Sequence, residues 1–229
     1  MTTTTVGVLA IQGGVIEHIS LLHRASEYLH SHSSPIKIPN FRFIQVRTVL
    51  QLSECDALII PGGESTTMSI VAQRLGLLEP LRQFVKVDHK PVWGTCAGLV
   101  MLASAASATK QGGQELIGGL DVKVLRNRYG TQIQSFVADL DLSKILGEEE
   151  NQKPFRGVFI RAPVVEELDQ EKGVEVVGVY KGKEKEDIVA VKQGNVFGTS
   201  FHPELTEDVR IHVWWLRRVV EALKEKEST

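Results

Sequence analysis

Cysteine is nearly absent from this 229-residue chain: there are two, Cys55 and Cys96. They allow one disulfide at most, which excludes a disulfide-stapled scaffold. Long apolar runs are also missing. No stretch approaches the ~20 apolar residues of a membrane-spanning helix. Nor is there an excess of one charge. Lys and Arg number 26 against 28 Asp and Glu, a net charge of −2, so nothing electrostatic points to nucleic acid or an anionic membrane. The seven histidines are scattered. His30 and His32 stand in a polar stretch without a further Cys or His cluster, so no metal site is expected. Met1 to Thr5 carry no basic segment, and Val6 to Ile11 is too short for the apolar part of a secretory signal. The expected compartment is cytoplasmic, where both thiols stay reduced.

What is present suits a soluble globular protein. Hydrophobic residues make up 42% and charged residues 24%, enough for a core without metals or staples. With no internal repeat and no linker, one domain over residues 1–229 is expected. Residues 1–5 and 225–229 read as frayed tails.

Val6-Gly7-Val8-Leu9-Ala10-Ile11 reads as a strand buried on both faces and broken by Gln12-Gly13-Gly14. Apolar residues then recur with helical period at Ile16, Ile19, Leu22 and Leu29, with the small Ser26 between. Residues 30–40 read as a proline-interrupted loop. Strands are expected over Phe41–Val46, Ala57–Ile60 and Val92–Gly94. Helices are expected from Ser65 to Leu75, Leu78 to Val87 and Gly98 to Ala106. Continuous apolar strands alternating with helices predict a parallel sheet covered on both faces. The second half changes character. Short runs at Val122–Arg126, Ile133–Val137, Val158–Arg161, Val174–Tyr180, Ile188–Lys192 and Val196–Ser200 predict antiparallel strands. A last helix carries Val209, Val213, Leu216, Val220 and Leu223, a stripe that suits core packing.

In an open parallel sheet, sites form at the carboxyl ends of strands. Two glycine-rich turns lie there, PGGEST after Ile60 and GTCAG after Trp93. Each leads into a helix, whose unpaired N–H groups favour a thiolate and can hold an oxyanion. Cys96 is therefore a candidate nucleophile, against the alternative of a small buried hydrophobe. A nucleophilic cysteine needs a base. His202-Pro203-Glu204 supplies one if the chain stays extended, since residues two apart then face the same side. Neither glycine turn matches a Walker phosphate loop.

LIIPGGEST, GTCAG and TSFHPEL together resemble a class I-type glutamine amidotransferase. GVLAIQGGVIEH, RNRYGTQIQSF and VFIRAP narrow the resemblance to the glutaminase subunits of pyridoxal 5′-phosphate synthases, over residues 6 to 220. It implies a three-layer α/β/α fold around a mixed, mostly parallel sheet. It also implies hydrolysis of L-glutamine to L-glutamate and ammonia, without cofactor or metal. By this resemblance Cys96 forms a thioester, His202 shuttles the proton and Glu204 orients His202. Backbone N–H groups of Gly63 and Ala97 would hold the oxyanion. Glutamine-binding positions fall on Gly63, Glu64, Ser65, Arg126, Ile160 and Arg161. A carboxylate suits the substrate ammonium, and either guanidinium suits its carboxylate. The ammonia would pass to a synthase subunit that activates the glutaminase and docks near Gln12 and Gly13. Thr131 and Gln134 depart from the family's usual arginine and aspartate. The alternatives are a class I-type glutaminase serving another synthase, and a silent scaffold that only binds the synthase.

Overall fold

The structure, a computed structural model, describes residues 3–32, 38–107, 114–126, 128, 135–147, 153–182 and 185–227. Thr131 and Gln134 lie outside them. The first half runs β1 (Thr3–Leu9), α1 (Val15–His32), β2 (Asn40–Val46), α2 (Val49–Ser53), β3 (Ala57–Ile60), α3 (Ser65–Arg74), α4 (Leu78–Lys86), β4 (Val92–Thr95), α5 (Ala97–Leu102) and β5 (Ala103–Ser107). The second half adds β6 (Leu120–Leu125), β7 (Ser135–Leu140), α6 (Ser143–Leu146), β8 (Phe155–Ile160), β9 (Val164–Leu168), β10 (Glu175–Lys181), β11 (Glu186–Gln193), β12 (Val196–Thr199) and α7 (Arg210–Glu227).

The main sheet has the order β2-β1-β3-β4-β12-β11-β9-β6-β5, with β10 also on β11, while β7 and β8 form a separate antiparallel pair. From β2 to β12 every pairing is parallel. The pairings among β12, β11, β10, β9 and β6 are antiparallel, and β5 lies parallel to β6. Helices cover both faces. The apolar run of β3 divides by alternation. Leu58 and Ile60 pack with Met68 of α3, Leu81 of α4 and Leu99 of α5. Ala57 and Ile59 pack on the opposite face with Leu22 of α1 and Leu216 of α7. A strand buried on both faces must be apolar at every position, which is why ALII shows no alternation.

Thr3–Thr5, expected in a frayed tail, instead pair with Asn40–Arg42 inside β1, with Thr4 and Thr5 buried; α7 runs on to Glu227, and α1 runs to His32, into the expected loop. Three further expectations need correction. The helix after Cys96 stops at Leu102, and Ala103–Ser107 instead pairs with β6. Alanine's helix propensity is only a few tenths of a kcal/mol above most residues, and sheet pairing outweighs it. Second, not all late strands are antiparallel: β12 inserts beside β4 in parallel register, Thr199 opposite Thr95. Third, the buried face of α1 is His18, Leu21, Leu22, Ala25 and Leu29, leaving Ile16 60% exposed. Elements α2, α6 and β9 had no expected counterpart.

Candidate active site

The β4–β12 pairing builds the site. The Cys96 N–H donates to the Thr199 carbonyl at 2.7 Å, so the chain leaves both strands side by side. Cys96 then turns sharply into α5 with φ 50° and ψ −105°. A non-glycine residue there carries strain of about 1–3 kcal/mol. The flanking glycines of GTCAG let α5 sit close. A Cβ on Gly94 would run into the backbone of Gly98, and one on Gly98 into the Ile60 carbonyl.

His202 approaches from the end of β12. Its backbone N–H donates to Val158 O at 2.8 Å, which fixes the turn against β8. The His202 Nδ1–Glu204 Oε1 distance is 2.8 Å. The geometry that brings them together is not the expected extended one. Pro203–Leu205 is a 3₁₀ turn with proline at its start. The proline's fixed φ suits that turn, and Glu204 curls back under the imidazole. Gly62 leaves the ring its place, since a Cβ there would meet His202 Cε1 and lie 3.3 Å from Cys96 Cβ. Burial pushes His202 down, but its hydrogen bonds to Cys96 and Glu204 outweigh that and raise it to about 10. Glu204 is buried, yet the hydrogen bond from His202 outweighs burial and lowers its carboxyl. Cys55 behaves differently. It packs beneath Gly7, donates to Gln51 O at 3.2 Å, and burial pushes its thiol up to about 12.

Cys96, Ala97 and His202 line one cleft of about 780 Å³ with Gln12, Gly63, Glu64, Ser65, Arg126, Ile160 and Arg161. All the expected site residues except Gly13 and the buried Glu204 therefore face one space. That volume suits a small-molecule ligand. Glu64, one residue earlier than the expected helix start, caps α3 by accepting from Thr66 N and Thr67 N. Burial pushes its carboxyl up, but bonds from Thr67 and Thr66 outweigh it and bring it down to about 2. Its Oε1 also accepts from Arg126 Nη2 at 2.9 Å. Gln114, which no motif flags, accepts from Ser65 Oγ at 3.1 Å, Thr66 Oγ1 at 3.2 Å and Arg126 Nη1 at 3.1 Å. It locks the glutamine-site candidates into one network. Arg161 sits at φ 45° between β8 and β9. Gln12 Oε1 accepts from Glu64 N at 2.9 Å, over Gly63. Gly13, at φ 93°, packs against the Gly62 carbonyl.

Among the described residues, no group of His, Cys, Asp and Glu has the arrangement of a metal site. No helix there is long and apolar enough to cross a membrane.

Residues 8–221 match the model of the SNO glutamine amidotransferase family. A probable pyridoxal 5′-phosphate synthase subunit PDX2 of Arabidopsis thaliana is 44% identical, over 95% of this chain and 86% of that protein. The pyridoxal 5′-phosphate synthase subunit PdxT of Pyrococcus furiosus is also 44% identical, over 94% of this chain and 98% of that one. A crystal structure of a glutamine amidotransferase superposes with a TM-score of 0.74 at 37% identity, covering 94% of this chain and 98% of its own.

Proposed function

The chain belongs to the SNO glutamine amidotransferase family, and on that premise we propose that it is the glutaminase subunit of a pyridoxal 5′-phosphate synthase. It hydrolyses L-glutamine to L-glutamate and ammonia and passes the ammonia to a synthase subunit, in the cytoplasm. The observation that carries this reading is the 2.8 Å His202–Glu204 pair set against Cys96 at the floor of a cleft lined by both charges a free amino acid needs.

In the proposed reaction His202, raised to about 10 beside Cys96 and Glu204, already holds the Cys96 proton, and the sulfur attacks the side-chain amide carbon. The oxyanion forms toward the backbone N–H groups of Gly63 and Ala97. His202 then returns the proton to nitrogen, ammonia leaves, and a thioester remains. Water, deprotonated by His202, releases glutamate and restores the thiol. Glu204 holds the imidazole's Nδ1 throughout, as the acid of a triad does.

The charge pattern supports an orientation for glutamine. Arg126 is already compensated by Glu64 at 2.9 Å. Among the described residues no ion-pair partner appears for Arg161, which lines the same cleft. Arg161 takes the substrate carboxylate, and Glu64 receives the ammonium. Gln12 supports a partner-dependent reaction. Its hydrogen bond to Glu64 N ties the peptide beside the oxyanion donor Gly63 to the segment where the synthase would dock. A single oxyanion donor is worth roughly 10²–10³ in rate, so docking that re-aims this peptide raises turnover by about that factor.

The test is glutamate release by the chain with and without a pyridoxal phosphate synthase subunit. Turnover should rise on adding the synthase. Cys96→Ala should abolish it and Cys55→Ala should leave most of it. Equal loss in two folded cysteine variants would refute the assignment.

A further inference from the structure

Glu204 offers His202 only one of its two oxygens. The other, Oε2, is buried and has no aligned hydrogen-bond donor. A buried carboxylate oxygen in that state is costly. The nitrogen that faces it is His18 Nε2 at 3.4 Å, close enough for an ion-pair contact but not aligned as a hydrogen bond in this resting arrangement. His18 is fully buried. It lies one helical turn beyond Gly14, where an added Cβ would sit 2.8 Å from Glu204 Cγ. Gly14, just before α1, and His18, one turn on, therefore both lie against Glu204. Behind His18 stands a second fully buried imidazole, His212 of α7, whose Nε2 is 3.1 Å from His18 Nδ1.

We propose that His18 and His212 form a positioning relay behind the triad, in which His212 Nε2–H donates to His18 Nδ1 and His18 Nε2–H donates to Glu204 Oε2. The inference rests on the glutaminase reading for its kinetic consequence, not for its geometry.

The direction of the relay follows from counting donors. A neutral imidazole has one N–H and one lone pair. If His18 carries its proton on Nε2, it can share it between Glu204 Oε2 and Thr95 Oγ1, which is also 3.4 Å away. His18 Nδ1 is then an acceptor, so His212 must donate from Nε2. The residue left over is a bare lone pair on His212 Nδ1, which is the atom without a partner. The reverse arrangement is worse on two counts. It points a lone pair of His18 at a carboxylate, and it buries an N–H on His212 with nothing to accept it. Trp93 cannot help either way. Its ring packs against both histidines, while its Nε1–H donates to Thr199 Oγ1 at 3.2 Å. Burial keeps both histidines neutral, each lowered to about 3, with Glu204 pulling His18 partly back up. Two neutral rings can orient a carboxylate without competing with His202 for its charge.

The test compares His18→Leu, which removes the donor, with His18→Gln, whose side-chain amide can still donate to Glu204. Two readouts are taken: steady-state glutamate release in the complex with the synthase subunit, and the rate of Cys96 alkylation by iodoacetamide. The expected result for His18→Leu is a fold retained by circular dichroism, kcat about tenfold or more lower, the size of one charge-assisted hydrogen bond, unchanged KM, and slower alkylation. His18→Gln should recover most of both. Wild-type kcat and alkylation in His18→Leu would overturn the relay. So would a His18→Gln variant as impaired as His18→Leu, which would assign the loss to packing. If His18→Leu does not fold, His212→Phe decides. It removes the donor to His18 without touching Glu204, and wild-type rates in it would overturn the relay. A wild-type complex that releases no glutamate would count against the glutaminase reading alone, because the alkylation comparison still reads the relay.

Discussion

Replacing Gly62 by alanine should separate folding from chemistry. Gly62 lies in the turn after β3, behind the fully buried Ile60. A methyl group there would lie 2.4 Å from His202 Cε1, 3.0 Å from Nδ1 and 3.3 Å from Cys96 Cβ, too close to the ring for both to keep their places. The β3 end cannot retreat, because Ile60 also supports Gly98 of α5. The imidazole can move, since it is the far end of a side chain. Turning it away breaks the 2.8 Å bond to Glu204 and removes it from Cys96. Overpacking of this kind costs roughly 1–3 kcal/mol, a minor part of the 5–15 kcal/mol typical of a folded protein. Loss of a positioned general base costs about 10²–10⁴ in rate. Gly62→Ala should therefore fold, with kcat down by that factor. KM should hold, because the cleft wall begins at Gly63. The assay is glutamate release with the synthase subunit present, beside a thermal melt. A folded Gly62→Ala enzyme with wild-type kcat would mean that His202 does not act from this position.

Arg161→Ala should raise the KM for glutamine by about 10²-fold, since a charge-assisted bidentate contact is worth up to ~3 kcal/mol, and leave the melt unchanged; a larger KM effect from Arg126→Ala would reverse the assignment of the substrate carboxylate. Acid should destabilise the chain through His18 and His212. Their pKa values fall from 6.5 to about 3 on folding, chiefly by burial, so between those limits the unfolded chain binds protons the folded one does not. Their contribution is intact above pH 6.5 and is lost as pH falls, at about 1.4 kcal/mol per pH unit for each ring. Urea unfolding between pH 4 and 7 should give a shallower slope for His212→Leu than for wild type; equal slopes would refute it. His202 works in the opposite sense, raised to about 10, so its contribution is intact below 6.5 and is lost as pH rises toward 10.

The parts of the site that were legible in the sequence are those where backbone approach limits the residue type. Gly94 and Gly98 flank Cys96 because α5 touches β4 and β3 there, and no side chain would fit. The pattern is therefore local and visible. ALII was legible for a related reason: both faces of β3 are buried, so every position is apolar. Elements whose identity depends on a distant partner were not legible. Ala103–Ser107 is a strand only because β6 offers an edge, and VVEEL of β9 has no clean alternation. Gln114 carries no motif, because any amide at that point could tie Ser65 to Arg126.

The phase of α1 shows how function distorts the pattern. A stripe read from apolar residues alone runs through Ile16, yet Ile16 is 60% exposed and His18 is buried. A polar residue in a core position counts against that face in any hydrophobic reading, so an apolar stripe falls about one residue off the buried face. The same displacement is the signal. Burying a neutral imidazole in place of an aliphatic side chain gives up apolar contact and requires a hydrogen-bond partner, and the partners at hand are Glu204, Thr95 and His212. Sequence periodicity fails there because a polar side chain takes a core position of α1, facing Glu204.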